Sequence, residues 1–411
     1  MAMPQGDGVR LPAAEAREQA LAALESKGYV RHSAQAALVE CGWEVGRAEA
    51  RLRGLGMSSS AAAARTAMTA RSAAAGSSSP GRGVVVEVSS DSESDVEVVA
   101  EGPRGSKRPR VGERREGGAE SEGVLRFVTW NVWFDPLEQR ARMGALGRIL
   151  EEVQPHVVAL QEVTPEIYRL LQPRLGAEYE EGFGRGMAAM GRSYFCALFV
   201  RRDLKPEGWK AGPFGGSQMG RELQTCVAQF GGRKLVFATS HLESPLGWQV
   251  LNSEERVRQW GQSRAMLAAE VQRTGSAAAI MGGDFNWTEK NDGDLLDAGD
   301  VKRGWADVWG ALRAGEPGYT YDGTKAGNEM LANSLRLRLD RVVLFAAPGL
   351  GVEPGAAMED IQLLGRDPIP GLVYEKVVRG RAVAKPVLPS DHFGLHATFR
   401  LGTPRGKEDD A

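Results

Sequence analysis

Between Gly123 and Thr403 the chain repeats one pattern: an apolar run of strand length, in several cases ending in a side chain able to hold a proton, a metal or a phosphate. The runs are VLRFVTWN (Val124–Asn131), HVVALQ (His156–Gln161), FCALFV (Phe195–Val200), TCVAQF (Thr225–Phe230), KLVFATS (Lys234–Ser240), AAAIMGG (Ala277–Gly283), DRVVLF (Asp340–Phe345) and GLHATFR (Gly394–Arg400). Their length, β-branched content and flanking turn residues specify strands. Helix starts lie between them. Asp135-Pro136 with Glu138 supplies a cap, a first-turn proline and a capping-box acid, and Thr164-Pro165 opens the next helix in the same way. Strands interleaved with helices over about 280 residues predict one large α/β domain, its two sheets covered by helices.

The polar ends are where chemistry would sit. Asn131 closes TWN, Glu162 ends LQE, His241 lies in SHLES, Asp284 and Asn286 in GDFN, and Asp391 and His392 in SDH. One Asn or Asp behind a strand is an ordinary turn residue. Five such ends in succession are hard to explain as turns, and strand ends hold side chains rigidly at a sheet edge.

Upstream the composition changes twice. From Ala13 to Gly56 apolar residues recur at helical spacing (Ala20, Leu21, Leu24; Ala36, Ala37, Leu38; Val45, Ala48, Leu52), punctuated by Gly28, Gly42 and Gly54. This predicts three short helices over 13–56. Residues 57–122 hold almost no large apolar side chains and cannot bury enough surface to offset ordering entropy, so they read as a linker before a domain over 123–403. Overall, 42% hydrophobic and 25% charged residues exclude a wholly disordered chain. A formal charge of −2 means that an anionic partner must be held by a local basic surface or a metal. Three cysteines, Cys41, Cys196 and Cys226, are too few for a disulfide scaffold and point to a reducing compartment. The apolar runs fall far short of the roughly 20 residues that span a bilayer. The start, MAMPQGDGVRLPAAEAREQ, lacks a secretory core, so a soluble intracellular protein with no membrane partner is expected.

The helical segment, with LESKGY (Leu24 to Tyr29), AALVECGW (Ala36 to Trp43) and VGRAEARL (Val45 to Leu52), resembles the ubiquitin-associated (UBA) family. That resemblance implies a ubiquitin partner met by Gly28 and Tyr29. In the linker, GVVVEVSSDSESDVEVVAEG (Gly83 to Gly102) is a valine-rich acidic string able to add to a sheet edge, and it looks like a SUMO-interacting motif. SKRPRVGERR (Ser106 to Arg115) reads as a nuclear import signal, so the nucleus is the expected location, with the cytoplasm as a second.

In the large domain the ordered set TWN, LQEVT, MGREL, TSHLES, GGDFN, GYTYD, LRLDR, LLG and PSDHFGL resembles the endonuclease/exonuclease/phosphatase superfamily, and within it the tyrosyl-DNA phosphodiesterases. The resemblance implies a four-layer α/β sandwich and a divalent-metal phosphodiesterase. The implied reaction is hydrolysis of the 5′-phosphotyrosyl bond between DNA and a trapped topoisomerase. Oxygen ligands without a Cys/His cluster favour Mg²⁺ or Mn²⁺ over zinc. Glu162 is expected to hold the metal, with Asp391 reaching it through water. Asp284 would accept the proton of the attacking water, Asn286 orient that water or the phosphate, and Asn131 contact the phosphate or the metal's water shell. His241 and His392 would donate to phosphoryl oxygens, with Asp340 orienting an imidazole, by resemblance that of His392. Trp133, Tyr194, Arg221, Ser244, Trp287, Tyr321 and Leu339 are expected to face DNA.

Two positions depart from the superfamily. Trp133 stands where many members have an acid that assists the metal, so either Trp133 lines the channel or Asp135 substitutes from a shifted loop. Tyr321 stands where tryptophan is more usual. An abasic-site endonuclease, a deadenylase or an inositol or lipid phosphatase would use nearly the same residues. An adaptor that binds ubiquitin or SUMO in front of a silent domain is the remaining alternative.

Overall fold

The computed structural model describes residues 123–401 apart from 190–191, 246–249, 332, 347–351 and 379–380, together with 44–54 and isolated positions between 19 and 38. The linker readings, the import signal, Cys41, and Gly28 with Tyr29 lie outside the described residues. In the upstream segment one helix, α1 (Val45–Gly54), is described, and Ala20, Leu24, Ala34, Leu38, Ala48 and Leu52 share one buried cluster. No helix among the described residues is long and apolar enough to cross a membrane.

The large domain is built on two six-stranded sheets. The chain lays down β1 (Val124–Asn131), β2 (Val157–Val163), β3 (Tyr179–Glu181) and β4 (Phe195–Arg201) in the first. It then lays down β5 (Glu207–Pro213), β6 (Glu222–Phe230), β7 (Arg233–His241), β8 (Ala278–Asp284) and β9 (Trp305–Asp307) in the second. A short pair follows, β10 (Tyr321–Asp322) with β11 (Arg336–Leu337). After it β12 (Asp340–Phe345) completes the second sheet, between β8 and β9, and β13 (Met358–Leu364) goes to the edge of the first. A separate hairpin, β14 (Val373–Val378) and β15 (Arg381–Pro386), precedes β16 (Gly394–Arg400), which inserts between β13 and β1.

Period two sorts each strand's residues between two cores. Leu125 and Phe127 of β1, Val157 and Ala159 of β2, Leu235 and Phe237 of β7, Ala278 and Ile280 of β8, and Val342 and Leu344 of β12 fill the space between the sheets. The alternate residues Val128, Trp130, Val158 and Leu160 meet Met143, Leu146 and Leu150 of α2 (Gln139–Val153) and Ile167, Leu171 and Leu175 of α3 (Pro165–Leu175). On the far side Val236, Ala238, Ala279 and Met281 meet Trp260, Leu267 and Val271 of α4 (Ser253–Thr274). Helix, sheet, sheet and helix make the four-layer sandwich, and each fully buried side chain of this size contributes about 1.5–3 kcal/mol.

The second helix start agrees with its expected chemistry: the Thr164 hydroxyl accepts from the Ile167 N–H at 3.1 Å, with Pro165 in the first turn. The first differs. Asp135 caps only the Leu137 N–H at 2.8 Å, Glu138 takes a left-handed conformation at φ 45°, and the helix begins at Gln139. The chain between Asn131 and Gln139 is held by other bonds, described below.

Candidate active site

The rows of side chains between the sheets do not stay apolar to their ends. Two residues beyond Phe127 comes Thr129, and beyond it Asn131; Phe237 is followed by Thr239 and His241, Ile280 by Gly282 and Asp284. Asp340 begins the antiparallel row of β12 and pairs in register with Asp284. One layer below the polar ends, the Gln161 amide donates to Thr129 Oγ1 at 3.1 Å and to Thr239 Oγ1 at 2.9 Å, tying one sheet to the other. Gly282 belongs to the same layer, and a Cβ there would stand 2.5 Å from the Phe127 ring.

Alternation alone would turn Glu162 towards the helices. Instead β2 bulges between Leu160 and Val163, and Glu162 adopts φ 60°. The left-handed residue redirects its carboxylate to the site, where Oε1 accepts from Asn131 Nδ2 at 3.1 Å and Oε2 from the Phe134 N–H at 3.2 Å. Asn131 Nδ2 also donates to Asp284 Oδ2 at 2.9 Å, and its Oδ1 accepts from the Trp133 N–H. Its amide thus bridges the two carboxylates and the adjacent loop.

Asp284 is 1% exposed and lies 3.3 Å from His241 Nε2. Burial opposes its ionisation, but the His241 and His392 imidazoles, the Asn131 amide and the Asn286 N–H outweigh it and hold the carboxyl below its ordinary range. His392 Nδ1 stands 2.8 Å from Asp340 Oδ2. Burial would lower the imidazole's pKa, yet Asp340 first, then Asp391 and Asp284, raise it well above its ordinary 6.5. Asp340 is fixed in turn by Thr320, whose Oγ1 accepts the N–H groups of Leu339 and Asp340. Asp391 is lifted by burial to about 7, with His392 opposing and Glu162 reinforcing the shift.

Asp284, Asp340 and His392 bring ligand atoms within 4.8 Å of one another. An imidazole held protonated by Asp340 is no metal ligand, since ligation needs a neutral ring. Glu162 fits a hard cation better: its carboxylate oxygens each accept one hydrogen bond and retain lone pairs.

The remaining expected residues divide. Asn286, at φ 48°, gives its N–H to Asp284 Oδ1 and its amide to Leu242 O and Ser244 Oγ. Ser244 also accepts from Arg221 Nη2 at 2.9 Å, and Arg221 lies 5.5 Å over the Tyr194 ring. The Arg221 Nε is buried without a hydrogen-bond partner. Tyr321 packs edge-on to His392 at 5.5 Å. Leu339 shows 9% of its surface. Trp287 is a correction: it is 2% exposed, packs in the core beneath α4 and donates to Gly293 O, so it offers DNA no face. Of the two alternatives at the loop, Asp135 is spent on its cap, and Trp133, half-buried at φ 56°, stands beside Asn131.

Residues not singled out from the sequence complete the frame. Glu243, in the middle of TSHLES, is wholly buried and accepts from the N–H groups of Gln218 and Met219, Ser217 Oγ and Gln259 Nε2, which anchors the loop carrying Arg221. Ser390 Oγ donates to Asn131 O and accepts the His392 N–H. A buried acid inside a strand-end motif was a readable signal; Ser390 had none beyond its place in PSDH.

Comparison with known proteins agrees with this geometry. The Endonuclease/Exonuclease/phosphatase family model matches residues 128–392. A Bos taurus protein named tyrosyl-DNA phosphodiesterase 2 is 31% identical over 288 residues, 68% of this chain and 69% of that one. A crystal structure of Danio rerio TDP2 complexed with single-strand DNA product superposes with TM-score 0.52 at 29% identity, covering 67% of this chain and 99% of that one. Truncated Caenorhabditis elegans TDP2 shares the fold, with TM-score 0.54 at 23% identity over 67% of this chain and 97% of that one. Since the matched span runs from β1 to the loop that delivers His392 and so contains every strand end that builds the site, the chain belongs to the endonuclease/exonuclease/phosphatase family.

Proposed function

We propose that the protein is a DNA-repair phosphodiesterase that uses Mg²⁺ or Mn²⁺ to hydrolyse 5′-phosphotyrosyl bonds between DNA and a trapped topoisomerase, leaving a 5′-phosphate. The observation that carries the reading is the convergence of Asn131, Glu162, His241, Asp284 and the Asp340–His392 pair at one end of the space between the sheets. Relatives of this architecture are named for that activity.

The residues present divide the work. Glu162, with Asp391 beside it, would hold the cation, which supplies charge neutralisation at the phosphate. Asp284, ionised by its surroundings, accepts the proton of the attacking water, with its Oδ1 held by the Asn286 N–H. His392, kept protonated by Asp340, donates to a phosphoryl oxygen as charge builds up, and His241 serves the neighbouring oxygen. Tyrosine's phenolate, with an unperturbed pKa near 10, leaves more easily than a sugar alkoxide. Arg221, whose buried Nε lacks a partner, faces an anion, and Tyr194 and Tyr321 offer ring faces to bases.

The domain bounds 13–56, 57–122 and 123–403, ubiquitin binding by the first, SUMO binding and nuclear import by the second, and a nuclear location complete the proposal. It is tested with two labelled single-stranded oligonucleotides, blocked by 5′- or 3′-phosphotyrosine, with Mg²⁺ or chelator, for wild type and Asp284→Asn. Metal-dependent release from the 5′ substrate alone, lost in the variant, is expected. Cleavage of an abasic duplex or a phosphoinositide instead would overturn the substrate while leaving the fold.

A further inference from the structure

Arg142, in the second turn of α2, is wholly buried and has no carboxylate within hydrogen-bond reach. Its donors all go to main-chain carbonyls. Nε donates to Leu137 O at 2.7 Å, Nη1 to Val132 O at 3.2 Å and Pro389 O at 3.4 Å, and Nη2 to Trp133 O at 3.1 Å and to Asp135 O. That uses every N–H a guanidinium offers. The cation also lies 4.6 Å over the Trp133 ring. Burial holds its pKa down to about 10, against the field of Asp135, Asp391 and Glu162, so it stays charged at neutral pH.

The carbonyls belong to two segments distant in sequence. Val132 to Leu137 is the chain between β1 and α2, and two of its N–H groups set the site: Trp133 N–H holds Asn131 Oδ1, and Phe134 N–H holds Glu162 Oε2. Pro389 directly precedes Ser390, Asp391 and His392. A fork with five fixed donors can lock both segments at once, which the single ammonium of lysine cannot.

We infer that Arg142 is a positioning residue: it clasps the Val132–Leu137 loop to the Pro389–His392 loop and thereby sets where Glu162 stands to receive a divalent cation. This rests on the metal-dependent reading above, and it also explains how a loop with Trp133 in place of a second acid is kept in order without a carboxylate of its own at the metal. The oligonucleotide-binding side meets the clasped loop at Tyr194, whose ring packs on Phe134 with centroids 5.2 Å apart, while Arg221 and Glu243 bond to Ser244, Ser217, Gln218, Met219 and Gln259.

The test compares wild type with Arg142→Lys, which keeps the charge but not the fork, and Arg142→Met, which removes both. Mn²⁺ binding is read directly by electron paramagnetic resonance without substrate, alongside kcat, KM and thermal unfolding. The expected result for folded variants is a Mn²⁺ dissociation constant raised about tenfold and kcat lowered about 10- to 100-fold, with a smaller rise in KM for a 5′-phosphotyrosyl oligonucleotide, transmitted through Phe134 to Tyr194. Mn²⁺ affinity equal to wild type in either folded variant would overturn the inference, and so would failure of both to fold, which would make Arg142 a folding residue. The Mn²⁺ readout stands whether or not the 5′-tyrosyl substrate is cleaved, so the two readings fail separately.

Discussion

Replacing Asp340 by asparagine tests whether His392 works as a cation. The pair is buried, at 1% and 6% exposure, and joined at 2.8 Å. A hydrogen bond to a charged group contributes about 1.5–3 kcal/mol, and losing it from the transition state would slow the reaction about 10- to 150-fold. A second loss depends on pH. Asp340 is the strongest of the charges that raise the imidazole above 6.5. Without it the ring returns towards that value, and at pH 7.5 only about one ring in ten would carry the proton. Together these give a loss of about 10²- to 10³-fold at pH 7.5, shrinking as the pH is lowered towards 6. The assay is kcat/KM for a 5′-phosphotyrosyl oligonucleotide between pH 5.5 and 9 at saturating Mg²⁺. In wild type the alkaline limb should lie well above neutrality; in Asp340→Asn it should move to the acid side. A loss of equal size at every pH, with the limb unmoved, would refute the charged imidazole and leave Asp340 only an orienting role.

Three further outcomes follow from the same geometry. Gly282→Ala places a methyl 2.5 Å from the Phe127 ring and 2.7 Å from Thr129 Cβ on the opposite sheet, so thermal unfolding should show a loss of about 1–3 kcal/mol, and an unchanged midpoint would mean the sheets part freely. Glu243→Gln puts an amide N–H₂ among donors and should loosen the loop that carries Arg221, raising KM for the oligonucleotide severalfold and flattening its salt dependence, as Arg221→Ala would; a KM equal to wild type contradicts the link. Asp284 has a depressed native pKa, so its contribution to stability is full above about pH 3.9 and is lost as the pH falls through the native value. Denaturant titrations between pH 5 and 2 should therefore fall more steeply for wild type than for Asp284→Asn, and parallel curves would deny the shift.

Much of this was legible because strand residues alternate. Once VLRFVTWN is a strand with Leu125 and Phe127 inward, Asn131 is inward too, and the same count carries Phe237 to His241 and Ile280 to Asp284. Glu162 breaks the count through a left-handed bulge that no residue type announces, since its φ of 60° occurs at a glutamate rather than a glycine. Trp287 misled for the opposite reason. It was expected to face DNA, but three residues beyond the strand end Asp284 the chain has turned back towards α4, and a large aromatic gains more by burial there. The start of α2 was misplaced because Asp135 and Glu138 match a capping pattern locally, while the loop is held by Arg142 from within the helix. The clasp depends on Pro389, whose proximity only the fold creates.

The position of β16 between β13 and β1 has a consequence for synthesis. The ribosome delivers Asn131 and Glu162 early, but His241 and Asp284 come far later, and His392 arrives just before β16. A chain that ends before Pro389 therefore holds Asn131, Glu162, His241 and Asp284 without His392. Ser390 and Asn131 can meet only once β16, from the end of the domain, has paired beside β1 from its beginning, so the geometry around Asn131 requires the whole domain.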